Sequence, residues 1–238
     1  MCDRCVSKPA TSLSRRSLFG AAAAIAAAGA SLRPARAADP APPSISPDAA
    51  LQRLREGAAR YAANTPTNKD FSAGRAARAA AQYPFAAIVS CADSRVAPEL
   101  IFDQGPGDLF VVRVAGNFVN PDGLASLEYG VKFLGIPLIM VLGHSGCGAI
   151  DATIKVIRDK VALPGHLPGL VDALRPGVQA AMAKHPTDLL AEATAENVRH
   201  TVRVLSSAQP ILAPRAAAKS LKVVGGVYDI GSGSVAMV

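Results

Sequence analysis

The sequence predicts an α/β fold, a mainly parallel β-sheet flanked by helices, and three observations carry that prediction. "FAAIVS" (85–90), "DLFVVRV" (108–114) and "PLIMVLG" (137–143) are apolar runs without the alternation of a half-solvated strand, as expected for strands covered on both faces. Helical patterns separate them, in the order strand, short helix, strand, helix, strand, helix. The 238 residues are half hydrophobic, enough for one domain with a substantial core.

Taken in order, "PAPPSISP" (40–47) reads as a linker. Ser46-Pro47 caps and starts a helix to about Ala63, with Leu51, Leu54, Ala58 and Tyr61 on one face. Gly74–Gln82 is a second short helical stretch. Pro98–Phe102, Asp122–Phe133 and Cys147–Val161 are the helices between and after the three strands, and Gly169–Lys184 and Thr187–Ser207 are two longer ones. "KVVGGVYDI" (222–230) and "SVAMV" (234–238) read as a late strand and its hairpin partner at the sheet's edge. No internal repeat is present. The division predicted is an export signal over 1–37, a linker over 38–47 and one domain over 48–238.

The net charge of +7 suggests nucleic acid until its location is read. Residues 1–37 carry Arg4, Lys8, Arg15, Arg16, Arg33 and Arg36 against Asp3, whereas the remainder holds 19 basic against 17 acidic residues. With no Trp and no basic run, a nucleic-acid surface is not expected. "SLSRRSLFG", the uncharged "AAAAIAAAGASL" and the small-x-small "ARA" (35–37) form a bacterial export signal. The arginine pair indicates the twin-arginine route, although Leu18-Phe19 reverses the usual aromatic-Leu order and an ordinary signal stays open. The apolar stretch is too short to span a bilayer stably. Cleavage near Ala37/Ala38 would leave a periplasmic or otherwise exported protein without stable membrane association. Cys2 and Cys5 sit in the segment to be removed; the remaining chain keeps Cys91 and Cys147.

In parallel sheets, sites collect at the carboxyl ends of the strands. "VSCADSRVAPEL" (89–100) places Cys91, Asp93 and Arg95 in file as the first strand ends. "GHSGCGA" (143–149) places His144 and Cys147 in a Gly-rich turn after the third. Two thiolates and an imidazole make a soft, compact set suited to Zn2+, with a fourth position left over. A lone His or Cys is ordinarily a capped loop or core residue; two strand ends that both finish in ligand types argue otherwise.

"CADSR" (91–95) with "GHSGCG" (143–148) resembles the β-class carbonic anhydrase signature, and "DQGPGDLFVVRVAGNFV" and "SLEYGVKFLGIPLIMVLGHSGCGA" extend the likeness. It covers roughly 50–236 and is dense from Gln82 to Ile150. The resemblance implies a β-carbonic anhydrase-like fold and reversible hydration of CO2 to bicarbonate and a proton. It implies one Zn2+ per subunit on Cys91, His144 and Cys147, with zinc-bound hydroxide attacking CO2. Asp93 would orient that hydroxide and Arg95 would hold Asp93; in some members this Asp instead becomes a fourth zinc ligand in a closed state. Gln82 matches an amide that bonds substrate, Phe110 and Tyr129 match pocket-wall residues, and Ala115 falls where the family often has Val. The resemblance also implies a homodimer or a multiple of dimers. The family's bicarbonate-regulated members use a Trp, and this chain has none.

Other residues have plainer readings. His166, His185 and His200 are proton-shuttle candidates by type only. Arg113 is read as an ion pair at a strand end rather than a brace, Asn117 as a turn cap, and Glu99 and Asp103 as helix and loop surface. Hydrolysis of carbon disulfide or carbonyl sulfide on the same site stays open, as does a non-catalytic zinc or thiol-redox protein.

Overall fold

The computed structural model describes residues 45–72 and 74–238, all within one compact unit, Asp39–Val238. The predicted export signal and most of the predicted linker lie outside the described residues. Helix α1 (Pro47–Ala62) starts as its sequence dictates: Ser46 Oγ accepts from the Ala49 N–H at 3.2 Å and Pro47 takes the first turn. Ala50, Leu51, Leu54 and Ala58 form its buried face. Then follow α2 (Arg75–Ala80), β1 (Ala86–Ser90), α3 (Pro98–Ile101), β2 (Leu109–Arg113), α4 (Pro121–Phe133) and β3 (Leu138–His144). After them come α5 (Gly148–Asp159), α6 (Leu167–Met182), α7 (Leu189–Ser207), α8 (Leu212–Ala217), β4 (Lys222–Tyr228) and β5 (Val235–Met237). Helix α8 has no counterpart in the sequence reading, because "LAPRAA" with its internal Pro is too short for a period to show. No helix among the described residues is long and apolar enough to cross a membrane.

The strands form one sheet in the order β2-β1-β3-β4-β5, parallel except for β5, which pairs antiparallel with β4 at the edge. Ala86 and Ile88 enter one core cluster with α1 and α3, while Ala87 and Val89 enter another with α4 and α7. Both faces of β1 are therefore covered, which is why its sequence does not alternate. Burial of each large aliphatic side chain here contributes about 1.5–3 kcal/mol. The parallel arrangement brings the residues after β1, β2 and β4 to the same edge as His144, which ends β3.

Asp103 departs from the expectation of a surface residue. It is 3% exposed and ties the end of α1 to the segment before α2. Arg60 Nε donates to its carboxylate at 2.6 Å, as do the Thr67 N–H and Oγ1 at 3.0 and 2.8 Å and the Asn68 N–H at 3.0 Å. Burial alone would push this carboxyl up, but the Thr67, Arg60 and Asn68 donors outweigh it and hold it well below the usual carboxylate range. Because the folded-state value is depressed, the stabilisation is present above about pH 4 and is lost as pH falls below it. Asp103→Ala, which removes the acceptor shared by Thr67, Asn68 and the part-exposed Arg60, is expected to cost about 1–3 kcal/mol. Chemical denaturation at pH 7 and pH 3 checks this, with the difference between wild type and variant shrinking at the lower pH.

Candidate metal centre

Cys91 follows β1, His144 closes β3, and Cys147 is the N-cap residue of α5. All three are buried, at 4%, 0% and 1% exposure. Their ligand atoms lie within 4.8 Å of one another, and neither thiol is in a disulfide. His144 Nδ1 lies 3.0 Å from the Ser145 carbonyl, an arrangement that places the proton on Nδ1 and leaves the Nε2 lone pair free. Nε2 itself is buried with no hydrogen-bond partner among the described residues. A buried, unsatisfied imidazole nitrogen beside two sulfurs fits a soft divalent cation.

The electrostatics agree. Donation from Cys147 holds the Cys91 thiol well below its ordinary range against the opposing effect of burial, with the N–H groups of Gly116 and Asp93 assisting at 3.3 and 3.4 Å from its sulfur. Cys147 is correspondingly pushed up, first by that shared hydrogen bond and then by burial. Burial alone would lower His144, but the neighbouring Cys91 raises it. Of the two thiols, Cys91 is therefore the more readily ionised, beside the His144 imidazole.

Asp93 lies inside the fork of Arg95, with Nε to Oδ1 at 2.9 Å and the terminal nitrogen to Oδ2 at 2.7 Å. This side-chain pairing, together with the Arg95 N–H, holds the Asp93 carboxyl well below the usual range. Asp93 Oδ2 stands 4.0 Å from His144 Nε2, beside the cluster without being one of its three ligands. Arg113 does not form the expected ion pair. Its Nε donates to the Cys91 carbonyl at 2.9 Å and its terminal nitrogen to the Asp93 carbonyl at 2.7 Å, bracing the turn that carries both residues. A charged side chain given to two main-chain carbonyls was not legible in the sequence. Asn117 does not cap with its side chain either: both amide atoms are buried and without a partner among the described residues, and its N–H bonds the Val114 carbonyl. Gly116, at φ +85°, turns its N–H onto the Cys91 sulfur, and a Cβ there would stand 2.7 Å from Leu174. Only glycine fits both conditions.

Of the residues expected to contact substrate, Ala115 lies at this edge, next to Gly116. Gln82, Phe110 and Tyr129 are not brought to the cluster within one chain. Gln82 precedes β1 at its amino end and lines an open groove of about 680 Å3 with Asn68, Phe71 and Tyr83. Phe110 pairs in register with Ala87 and is half-buried, short of the carboxyl edge of the sheet. Tyr129, on α4, is 48% exposed beside Phe133. The physical reason is direct: nine residues that run past a strand separate its two ends rather than join them. His166 and His185 are exposed and flank α6, and His200 is half-buried on α7; none enters the cluster. Glu99 is half-buried on α3 and likewise stands outside it.

Residues 86–235 match the family model described as carbonic anhydrase. The chain belongs to the β-class carbonic anhydrases. Carbonic anhydrase 2 of Mycobacterium tuberculosis is 40% identical over 192 residues, which is 80% of this chain and 92% of that protein. Among solved structures, the Coccomyxa β-carbonic anhydrase in complex with acetazolamide aligns with a TM-score of 0.63 at 31% identity, over 79% of this chain and 84% of that one. One of two tetrameric β-carbonic anhydrases from Sordaria macrospora aligns with a TM-score of 0.63 at 27% identity, over 69% of this chain and 86% of that one. A β-class carbonic anhydrase is an enzyme of CO2 hydration, and in this chain Cys91, His144, Cys147 and the Asp93–Arg95 pair converge at one sheet edge.

Proposed function

We propose that this chain holds one Zn2+ per subunit on Cys91 Sγ, His144 Nε2 and Cys147 Sγ and catalyses CO2 + H2O ⇌ HCO3− + H+. The observation that carries the reading is the buried, unpartnered His144 Nε2 facing two cysteine sulfurs beside an Arg-locked carboxylate. Zinc in such a site supplies a Lewis acid that makes water a usable nucleophile near neutral pH, an effect for which carbonic anhydrases are themselves the reference case. The chain's own residues do the rest. Asp93, ionised and acceptor-only, accepts a hydrogen bond from the attacking water and thereby points an oxygen lone pair towards CO2. Arg95 keeps both Asp93 oxygens engaged, so the carboxylate neither rotates nor takes a proton. Arg113 holds the Cys91–Asp93 turn through its carbonyls. The released proton leaves to buffer.

Gln82, Phe110 and Tyr129 stand away from their own chain's cluster and are exposed or half-buried. If they serve substrate, they serve it in a second copy, which supports a homodimer or a multiple of dimers. The sequence of residues 1–37 supports export by the twin-arginine route, with removal near Ala37/Ala38 and a periplasmic or otherwise exported product.

Stopped-flow hydration of CO2 by zinc-loaded protein is the test, with carbonyl sulfide and carbon disulfide in the same panel. Turnover of CO2 well above buffer is expected. No turnover at both neutral and alkaline pH, or sulfide release without CO2 turnover, would overturn the reading. Light scattering at micromolar concentration is expected to show a dimer or larger.

A further inference from the structure

We propose that Asn197, on α7, is a positioning residue for the metal centre: through the Gly116 carbonyl it keeps the Gly116 N–H on the Cys91 sulfur and so limits how much charge that thiolate gives the metal. The inference rests on the metal-centre reading above.

Asn197 Nδ2 donates to the Gly116 carbonyl at 2.8 Å, and the Gly116 N–H donates to Cys91 Sγ at 3.3 Å. Gly116 has no Cβ and sits at φ +85°, so its own backbone preference does not hold it there. Anchoring its carbonyl removes that freedom and leaves the N–H aimed at sulfur. Asn197 is itself held from two sides. Helix α6 presses its backbone at Gly177, where a Cβ would stand 2.6 Å from the Asn197 Cα. The neighbouring Glu196, 6% exposed, is bound by Lys184 Nζ at 2.6 Å and by Arg199 at 2.7 Å.

The energetics say why an amide stands at this helix crossing. Asn197 is 1% exposed and its Oδ1 has no hydrogen-bond partner among the described residues. An unsatisfied buried acceptor costs about 1–3 kcal/mol, a cost a leucine there would avoid. The one side-chain hydrogen bond it makes among the described residues is to Gly116, whose N–H reaches Cys91 Sγ alongside that of Asp93. A hydrogen bond to a coordinating thiolate withdraws charge from it, so the metal stays a stronger Lewis acid despite two sulfur ligands.

Co2+ substitution reads this directly, because the sulfur-to-metal charge-transfer band reports the thiolate's charge. Asn197→Leu and Asn197→Ser are both expected to move that band to longer wavelength. Leu205→Ala, a fully buried change on the same helix, should lower stability and leave the band in place. Wild-type protein loaded with 113Cd should show coupling between the metal and the Gly116 amide proton, which tests the bond even if the leucine variant does not fold. An unmoved band in either folded variant, an equal shift in Leu205→Ala, or no 113Cd coupling overturns the inference. Wild type that binds no Co2+ through thiolate would instead overturn the metal-centre reading.

Discussion

Cys147→Ser is expected to abolish stoichiometric zinc binding and to lower CO2 hydration by at least about three orders of magnitude, a modest share of a typical enzyme's acceleration. The serine hydroxyl is similar in shape to the thiol but stays protonated near neutral pH and is a poor ligand for a soft site. Its position is 1% exposed at the start of α5. Cys91→Ser should behave alike. Metal analysis and stopped-flow assays of the folded variants check this. A variant that keeps one zinc per chain and activity within about tenfold of wild type would contradict the assignment.

Asp93→Asn comes next, with an expected loss of about 10²–10³-fold in kcat, the scale for removing one aimed hydrogen-bonding group from an active site. The amide matches the carboxylate in shape but puts a donor where an acceptor is needed and ends the Arg95 pairing. Arg95→Ala should lose less, because it frees Asp93 without changing its chemistry. Its pH dependence separates orientation from charge. Asp93 lies well below the usual carboxylate range, mainly through Arg95, and without Arg95 it returns towards about 3.9. In both proteins it is ionised at pH 7 and pH 9, so the loss from Arg95→Ala should be the same at both. The pairing stabilises the fold above about pH 4, and that contribution fades as pH falls further. A loss that vanished at pH 9 would mean that Arg95 acts through Asp93's protonation and not through its position.

Much of this was open to reading from residues alone because the signals are local. Uninterrupted apolar runs at 85–90 and 137–143 mark strands covered on two faces, and Ser46-Pro47 marks a helix start. Cys91-x-Asp93-x-Arg95 and His144-x-x-Cys147 each fall within a turn or two of backbone, so their spacing already puts the right atoms together. The short α8 and the buried state of Asp103 were not legible. One has no period to detect, and the other depends on donors at Arg60, Thr67 and Asn68, whose approach is set by how α1 packs.

The sequence by itself determined the α/β class and singled out the Cys91, His144 and Cys147 cluster, with the export-type leader as an expectation, since strand ends and turns carry their own chemistry. Only the tertiary structure decided what supports that centre. Arg113 reaches two carbonyls across the β1–β2 edge, and Asn197, 81 positions from Gly116 in the chain, meets it because α6 and α7 cross where Gly177 removes a side chain. It also separated Gln82 from the cluster, because a strand places its two ends apart however closely they stand in sequence, and left Phe110 within β2 and Tyr129 exposed on α4. Contacts between distant segments depend on helix packing and sheet order, and no local pattern encodes them.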